Sequence, residues 1–274
     1  RLLKANFSRL VKNRLFWILM VAELFMGALF PVLHYMDNIE EKSGWTMDAS
    51  IFIYALMVPL MASLLTALFI GSEYSDGTMR NKLIVGHGRN KIYVANLIAN
   101  MEAAFLLCFS FLLSHICVGV PLLGWFTSDM KKVLAYFLVI LAMVAACTAI
   151  FTLIAMLSSN KAYSVAECIL IIFMLLFMGV RITAALNEPE IYDAYSYMSE
   201  GVTVQEDETP NPNYVSGTRR QVYLFLNEFL PGGQMLKLSN MNVEHLARYA
   251  VYDAVIFAFA TGCGILIFRK KDLK

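Results

Sequence analysis

Residues 51–70, IFIYALMVPLMASLLTALFI, run without a single charged side chain. A helix rises about 1.5 Å per residue, so roughly 20 residues cross the ~30 Å hydrocarbon core of a bilayer. Residues 133–157, VLAYFLVILAMVAACTAIFTLIAML, are a second uncharged run. Neither alternates apolar with polar as a barrel strand does, which leaves helix hydrogen bonds to satisfy the backbone inside a membrane. Working outward from these two, six spans are expected near 15–36, 51–71, 95–121, 133–157, 163–182 and 249–268. The expected fold is an all-α polytopic membrane protein.

Composition agrees: 59% of the 274 residues are hydrophobic and 16% charged, with a mean hydropathy of +0.61. That is too apolar for an ordinary soluble domain of this length. The net charge of +1 gives no argument for nucleic acid. Cys108, Cys117, Cys147, Cys168 and Cys263 all fall in apolar runs, where a thiol behaves as a small hydrophobe. His34, His87, His115 and His245 are scattered, without metal-ligand spacing, so no metal site is expected.

Basic residues orient the chain. Segments 1–14, 72–94, 158–162 and 269–274 hold five, four, one and four of the 22 Lys and Arg. By the positive-inside rule these segments, and both termini, are expected in the cytoplasm. No cleavable signal pattern is visible, so the first span is expected to persist in the mature protein. The whole chain then reads as one transmembrane domain: 1–14, spans one to five over 15–182, an extracellular loop 183–248, span six over 249–268 and a cytoplasmic tail 269–274. The opening RLLKANFSRLVKNR mixes leucines with five basic residues, the composition of an interfacial helix on an anionic leaflet. It also fits a plain positive flank. FRKKDLK at the end reads as a stop-transfer basic terminus. In the long loop, EDETPNPN at 206–213 reads as an exposed acidic turn. QVYLFLNEFLPGGQMLKL at 221–238 is apolar enough to lie on or dip into the outer leaflet, with Pro231, Gly232 and Gly233 breaking any straight span. Short extracellular helices capping the last span are expected there.

Between the second and third spans lies EYSDGTMRNKLIVGHGRNK, 73–91. Asp76 and Gly77 suit a turn, Thr78 a cap, and MRNKLIV two helical turns ended by Gly86. Met79, Leu83 and Ile84 are placed on one face, with Arg80 and Lys82 elsewhere. Such a helix either fits a groove on a soluble partner or is a solvated hairpin between spans.

The order Glu73, Gly77-Thr78, Arg80 and Leu83 after a second span, with Arg89 opening the third, resembles the permeases of type-2 family ABC exporters of type V fold. The basic amphipathic start, the Leu230-Pro231-Gly232 stretch and the Phe268-Arg269-Lys270-Lys271-Asp272 ending extend the likeness over nearly the whole chain. The resemblance implies that 76–91 is a coupling helix on a separate ATPase subunit, with Glu73, Gly77, Thr78, Met79, Arg80, Leu83 and Arg89 as coupling residues. It implies two ATPase copies, a second permease copy or related chain, and ATP and Mg bound on the partner. It also implies residence in a bacterial cytoplasmic membrane and export of a peptide such as a bacteriocin or toxin. The chain has no G-x-x-x-x-G-K-[ST] phosphate loop, which agrees with nucleotide binding elsewhere.

Charged groups inside spans are costly and draw attention to Glu23, Glu102, Glu167 and Asp253. Glu23 and Glu102, with the helix-kinking Pro59, are candidates for a translocation path. Structural pairing competes with that role at each acid. A drug, lipid or ion is the alternative cargo, and a non-transporting scaffold or sensor the alternative function. An intramembrane hydrolase is disfavoured, because no nucleophile and base share a defensible spacing.

Overall fold

A computed structural model describes residues 2–192, 195–199, 202–206 and 208–271. Arg1 of the expected interfacial helix, Asp207 of the expected acidic turn and Asp272 of the basic ending lie outside the described residues.

Among the described residues, six helices are long and apolar enough to cross a membrane: Arg14–Glu40, Met47–Ser75, Arg89–Leu123, Met130–Leu157, Lys161–Asn187 and Leu246–Lys270. In chain order the elements are α1 (Leu2–Val11), α2 (Arg14–Glu40), α3 (Met47–Ile51), α4 (Tyr54–Ser75), α5 (Thr78–Ile84), α6 (Arg89–Leu123), α7 (Met130–Leu157) and α8 (Lys161–Asn187). There follow β1 (Ile191–Tyr192), β2 (Tyr195–Ser199), β3 (Val202–Glu206), β4 (Thr209–Pro210), α9 (Gly217–Phe229), α10 (Pro231–Ser239) and α11 (Leu246–Lys270). All six spans outrun their expected bounds, because helices continue past the hydrocarbon-length window. At 35 residues α6 is about 52 Å long and overshoots a bilayer core.

The second span is the centre of the bundle. Its most apolar window is 61% buried, against 28% for the first, fifth and sixth spans, which therefore carry most of the outward-facing apolar surface. α2 packs along α6, α11 along α7, and α4 lies against both α7 and α8. Small residues set the closest approaches: a Cβ at Gly27 on α2 would run into the Phe111 carbonyl of α6.

The second span is interrupted at Phe52–Ile53, between α3 and α4, rather than at its midpoint. Pro59 sits buried in the second turn of α4, where its missing N–H withdraws one helix hydrogen bond.

α1 is a helix distinct from α2. The Asn13 side chain accepts from the Leu15 N–H and starts the new helix. Leu3, Phe7 and Val11, four residues apart, form an exposed apolar stripe, while Asn6 and Leu10 are buried against the bundle. That is an amphipathic arrangement of the kind an interfacial helix has.

The long loop departs from an all-helical expectation. β1 pairs antiparallel with β4, and β2 with β3, over residues 191–210. Thr209 and Pro210, expected in an acidic turn, form β4. Beyond it, α9 and α10 make a hairpin broken at Leu230–Pro231, as the proline and glycines require. This hairpin does more than cap the last span. Gly232 and Gly233 press on Gly179, and a Cβ at Gly232 would enter the Leu175 carbonyl. Leu175 and Gly179 lie 12 and 8 residues from the end of α8, so the hairpin tip descends about 12–18 Å along that helix.

Candidate functional site

One end of the bundle gathers α1, α5, the C-terminus of α4, the N-terminus of α6 and the end of α11. Glu73, near the end of α4, is fully buried. Its carboxylate accepts hydrogen bonds from the guanidinium of Arg9 on α1 and the ammonium of Lys82 on α5. Its other oxygen accepts from Asn96 Nδ2 of α6 at 3.0 Å. Asn6 completes the ring: its Nδ2 donates to Asn96 Oδ1 at 2.8 Å, and its Oδ1 accepts from Lys82 Nζ at 2.9 Å. Four elements thus meet on one carboxylate. A buried charge persists when paired and hydrogen-bonded, and here two cations and an amide answer it. Arg9 also lies 3.8 Å from the centroid of the Phe69 ring. Burial lowers the pKa of both Arg9 and Lys82, and Glu73 opposes that shift in each.

α5 hangs from this ring by Lys82. Gly77 takes a left-handed conformation at φ 66°, which a side chain would strain, and so turns the chain out of α4. Thr78 does not cap α5 through its side chain; its hydroxyl donates back to the Glu73 carbonyl at 3.2 Å. At the other end His87 N donates to Lys82 O and Gly86 N to Leu83 O, a Schellman closure around left-handed Gly86.

The faces of α5 differ from the expected ones. Met79 is buried, and Lys82 and Leu83 are half-buried on the same side. Arg80 and Asn81 are exposed, with Ile84 72% and Val85 76% exposed beside them. Met79 and Leu83 therefore belong to the bundle-facing side, because the Lys82–Glu73 pair fixes the rotation of the helix. Val85, which sequence reading left unassigned, joins Ile84 on the outer side. Arg89 also points inward. Its guanidinium donates to the carbonyls of Phe268, at 3.2 Å, and Lys271.

Lys271 was legible only as part of a basic tail, yet it ties three helices together. Its Nζ donates to Met156 O at 3.0 Å and Leu157 O at 2.8 Å, at the end of α7, and to Tyr74 Oη of α4 at 3.2 Å. A cation at a helix C-terminus complements the carbonyl end of the macrodipole. Burial depresses the Lys271 amine to about 8.

The residues proposed for a translocation path do not converge. Glu23 is fully buried on α2, and neither carboxyl oxygen has a hydrogen-bond partner among the described residues. Glu102 is exposed on the outer surface of α6, and Glu167 is exposed on α8. Asp253 is buried on α11 with both oxygens likewise unpartnered. The two His115 ring nitrogens and the Tyr54 hydroxyl are further buried polar atoms without hydrogen-bond partners among the described residues. The sequence reading weighed His115 only as a metal ligand and did not single out Tyr54, although each stands in an apolar run. No cluster of metal-ligating residues occurs among the described residues.

Six apolar spans, an amphipathic helix along one edge and a short charged helix outside the bundle define a multi-pass membrane protein. Residues 2–179 match the family model described as ABC-2 family transporter protein. The chain belongs to that family and is an ABC-transporter membrane protein, the component that works with an ATPase subunit. The match covers α1 to most of α8, including the whole Glu73 ring. No curated protein matches the chain.

Proposed function

We propose that this chain is the permease half of an ATP-driven exporter, with α5 as its coupling helix and the termini end facing the cytoplasm. The carrying observation is the combination at α5: a two-turn helix outside the spans, fixed to α1, α4 and α6 through Lys82 and Glu73, with Arg80, Ile84 and Val85 free on its far side. A rigidly mounted helix with an exposed apolar pair beside a cation suits docking in a groove on a soluble subunit. Force on α5 then passes through Glu73 to α4, the most buried span, and through Arg9 and Asn96 to α1 and α6. Gly77, Thr78, Met79, Leu83 and Arg89 serve this role by shaping and mounting the helix; Arg80 makes the contact.

Two ATPase copies carrying ATP and Mg, and two permeases, assemble the transporter. The exposed faces of the first, fifth and sixth spans offer surface for the second permease and for lipid. The cargo is an amphipathic or hydrophobic compound, and the family resemblance favours a peptide. A drug, lipid or ion would use the same machinery. The test is ATPase turnover of the reconstituted complex in proteoliposomes, with and without candidate peptides, alongside peptide movement across the bilayer. Cargo-stimulated turnover with movement supports export; an ATPase indifferent to the permease supports the scaffold reading instead.

A further inference from the structure

A cleft of about 470 Å³ opens between α1 and the start of α6. Its walls are Leu2 and Leu3 on one side and Val94 and Ile98 on the other, and its polar lining consists of His87, Asn90 and Lys91. Among the described residues, none that lines it is acidic. Along α6, Lys91 precedes Val94 by about 4.5 Å and Ile98 by about 10 Å of helix rise. The exposed Leu3–Phe7–Val11 stripe sets α1 at the hydrocarbon boundary. The basic rim is therefore at headgroup depth and the apolar wall at acyl-chain depth.

We infer that this cleft binds one anionic phospholipid of the leaflet at the termini end, its phosphate at Lys91 and Asn90 and an acyl chain against Val94 and Ile98. The polarity gradient and the sign of the rim select this occupant over a soluble helix, which would need apolar surface outside the bilayer. The position gives the lipid a consequence. α1 and α6 are joined beside the cleft by the Asn6–Asn96 hydrogen bond, so a lipid wedged between them steadies two members of the Glu73 ring. The inference needs only the membrane placement of the chain and stands apart from the cargo and from the ATPase.

The test is native mass spectrometry of the detergent-purified full chain, titrated separately with phosphatidylglycerol and phosphatidylcholine. One phosphatidylglycerol is expected to be retained in preference to phosphatidylcholine. Lys91→Ala should weaken that retention about fivefold, the effect of one basic residue near a membrane surface. Val94→Trp should abolish it by filling the cleft. Both positions are exposed, and thermal melting checks that each variant is folded. Lys132→Ala, exposed at the opposite end, should change nothing. Equal retention of the two lipids, a preference that survives both cleft variants, or an equal loss in Lys132→Ala would overturn the site.

Discussion

Glu73 shows what a single residue decides in this molecule. Beside Lys82, nine residues on, its partners lie 64 residues back at Arg9 and 23 residues on at Asn96, separations that no local pattern reveals. The sequence marked Glu73 through resemblance alone, and its hub geometry appears only once four elements converge. Removing one member of a buried ion pair strands the others. Glu73→Ala should therefore lower stability by about 3 kcal/mol, at the low end of that range because Arg9 keeps 30% and Lys82 15% of its side chain exposed. A melting curve in detergent reads this out, and an unchanged transition would remove Glu73 as the hub. Glu23→Gln should leave melting unchanged or raise it, since a buried carboxyl without partners is a cost rather than a support. At Lys271 the prediction concerns pH. With its folded-state value near 8 against an ordinary 10.5, the amine is charged below that pH and neutral above it. The unfolded chain holds the proton to higher pH, so linkage favours the folded state as pH rises from about 8 toward 10.5. Competitive acetylation followed by mass spectrometry should give Lys271 a labelling midpoint near 8, well below that of ordinary surface lysines; a midpoint above 10 would refute its buried environment.

At the scale of elements, helices long and short were legible, but the face that the shortest turns to the bundle was not. Hydrophobic runs of span length and the N-terminal mixture of Leu, Arg and Lys announced α1 and the six spans, and Pro231 with its glycines announced the break between α9 and α10. Seven residues of α5 are too few for periodicity to fix a face; tertiary contact at Lys82 chose it. The β2–β3 ladder has a local signal in YSYMS and VTVQE, in the alternation of the first and the β-branched Val and Thr of the second, which the expectation of short helices in this loop did not take up. The depth of the α9–α10 hairpin depends on Gly179 meeting Gly232 and Gly233, 53 and 54 residues further along the chain, which composition does not encode. Gly232→Ala places a methyl against the Leu175 backbone carbonyl, where no flexible side chain yields. Overpacking of this kind should cost about 1–3 kcal/mol and lower the melting temperature, whereas substitution of Gly262, which has open space, should not.

At the scale of the whole molecule, the same end of the bundle carries α1, the mounted α5, the Arg89–Phe268 contact and the Lys271 tie. All six spans are connected there by polar contacts, Ser164 of α8 donating to the Ala67 carbonyl of α4 at 3.4 Å, or continue directly into helices that make them; this is the route from α5 into the membrane that the proposed function uses. The opposite end is built of ladders, a re-entrant hairpin and a polar cavity of about 630 Å³ between α8, α9, α10 and α11, rimmed by Lys237, Arg248, Glu228 and Glu244. In the proposed function, coupling falls to the end of the bundle opposite this cavity. The central claim is that α5 docks a separate ATPase through its outward face. The most direct measurement is a mild-detergent pull-down of the tagged chain from its native membrane, beside an Ile84→Asp, Val85→Asp double variant, with mass spectrometry of the soluble subunits recovered. A P-loop ATPase in equal amount with the natural chain, and its loss from a variant that melts normally, is the predicted result. Equal recovery with both, or no ATPase with either under conditions that preserve other membrane complexes, would contradict it.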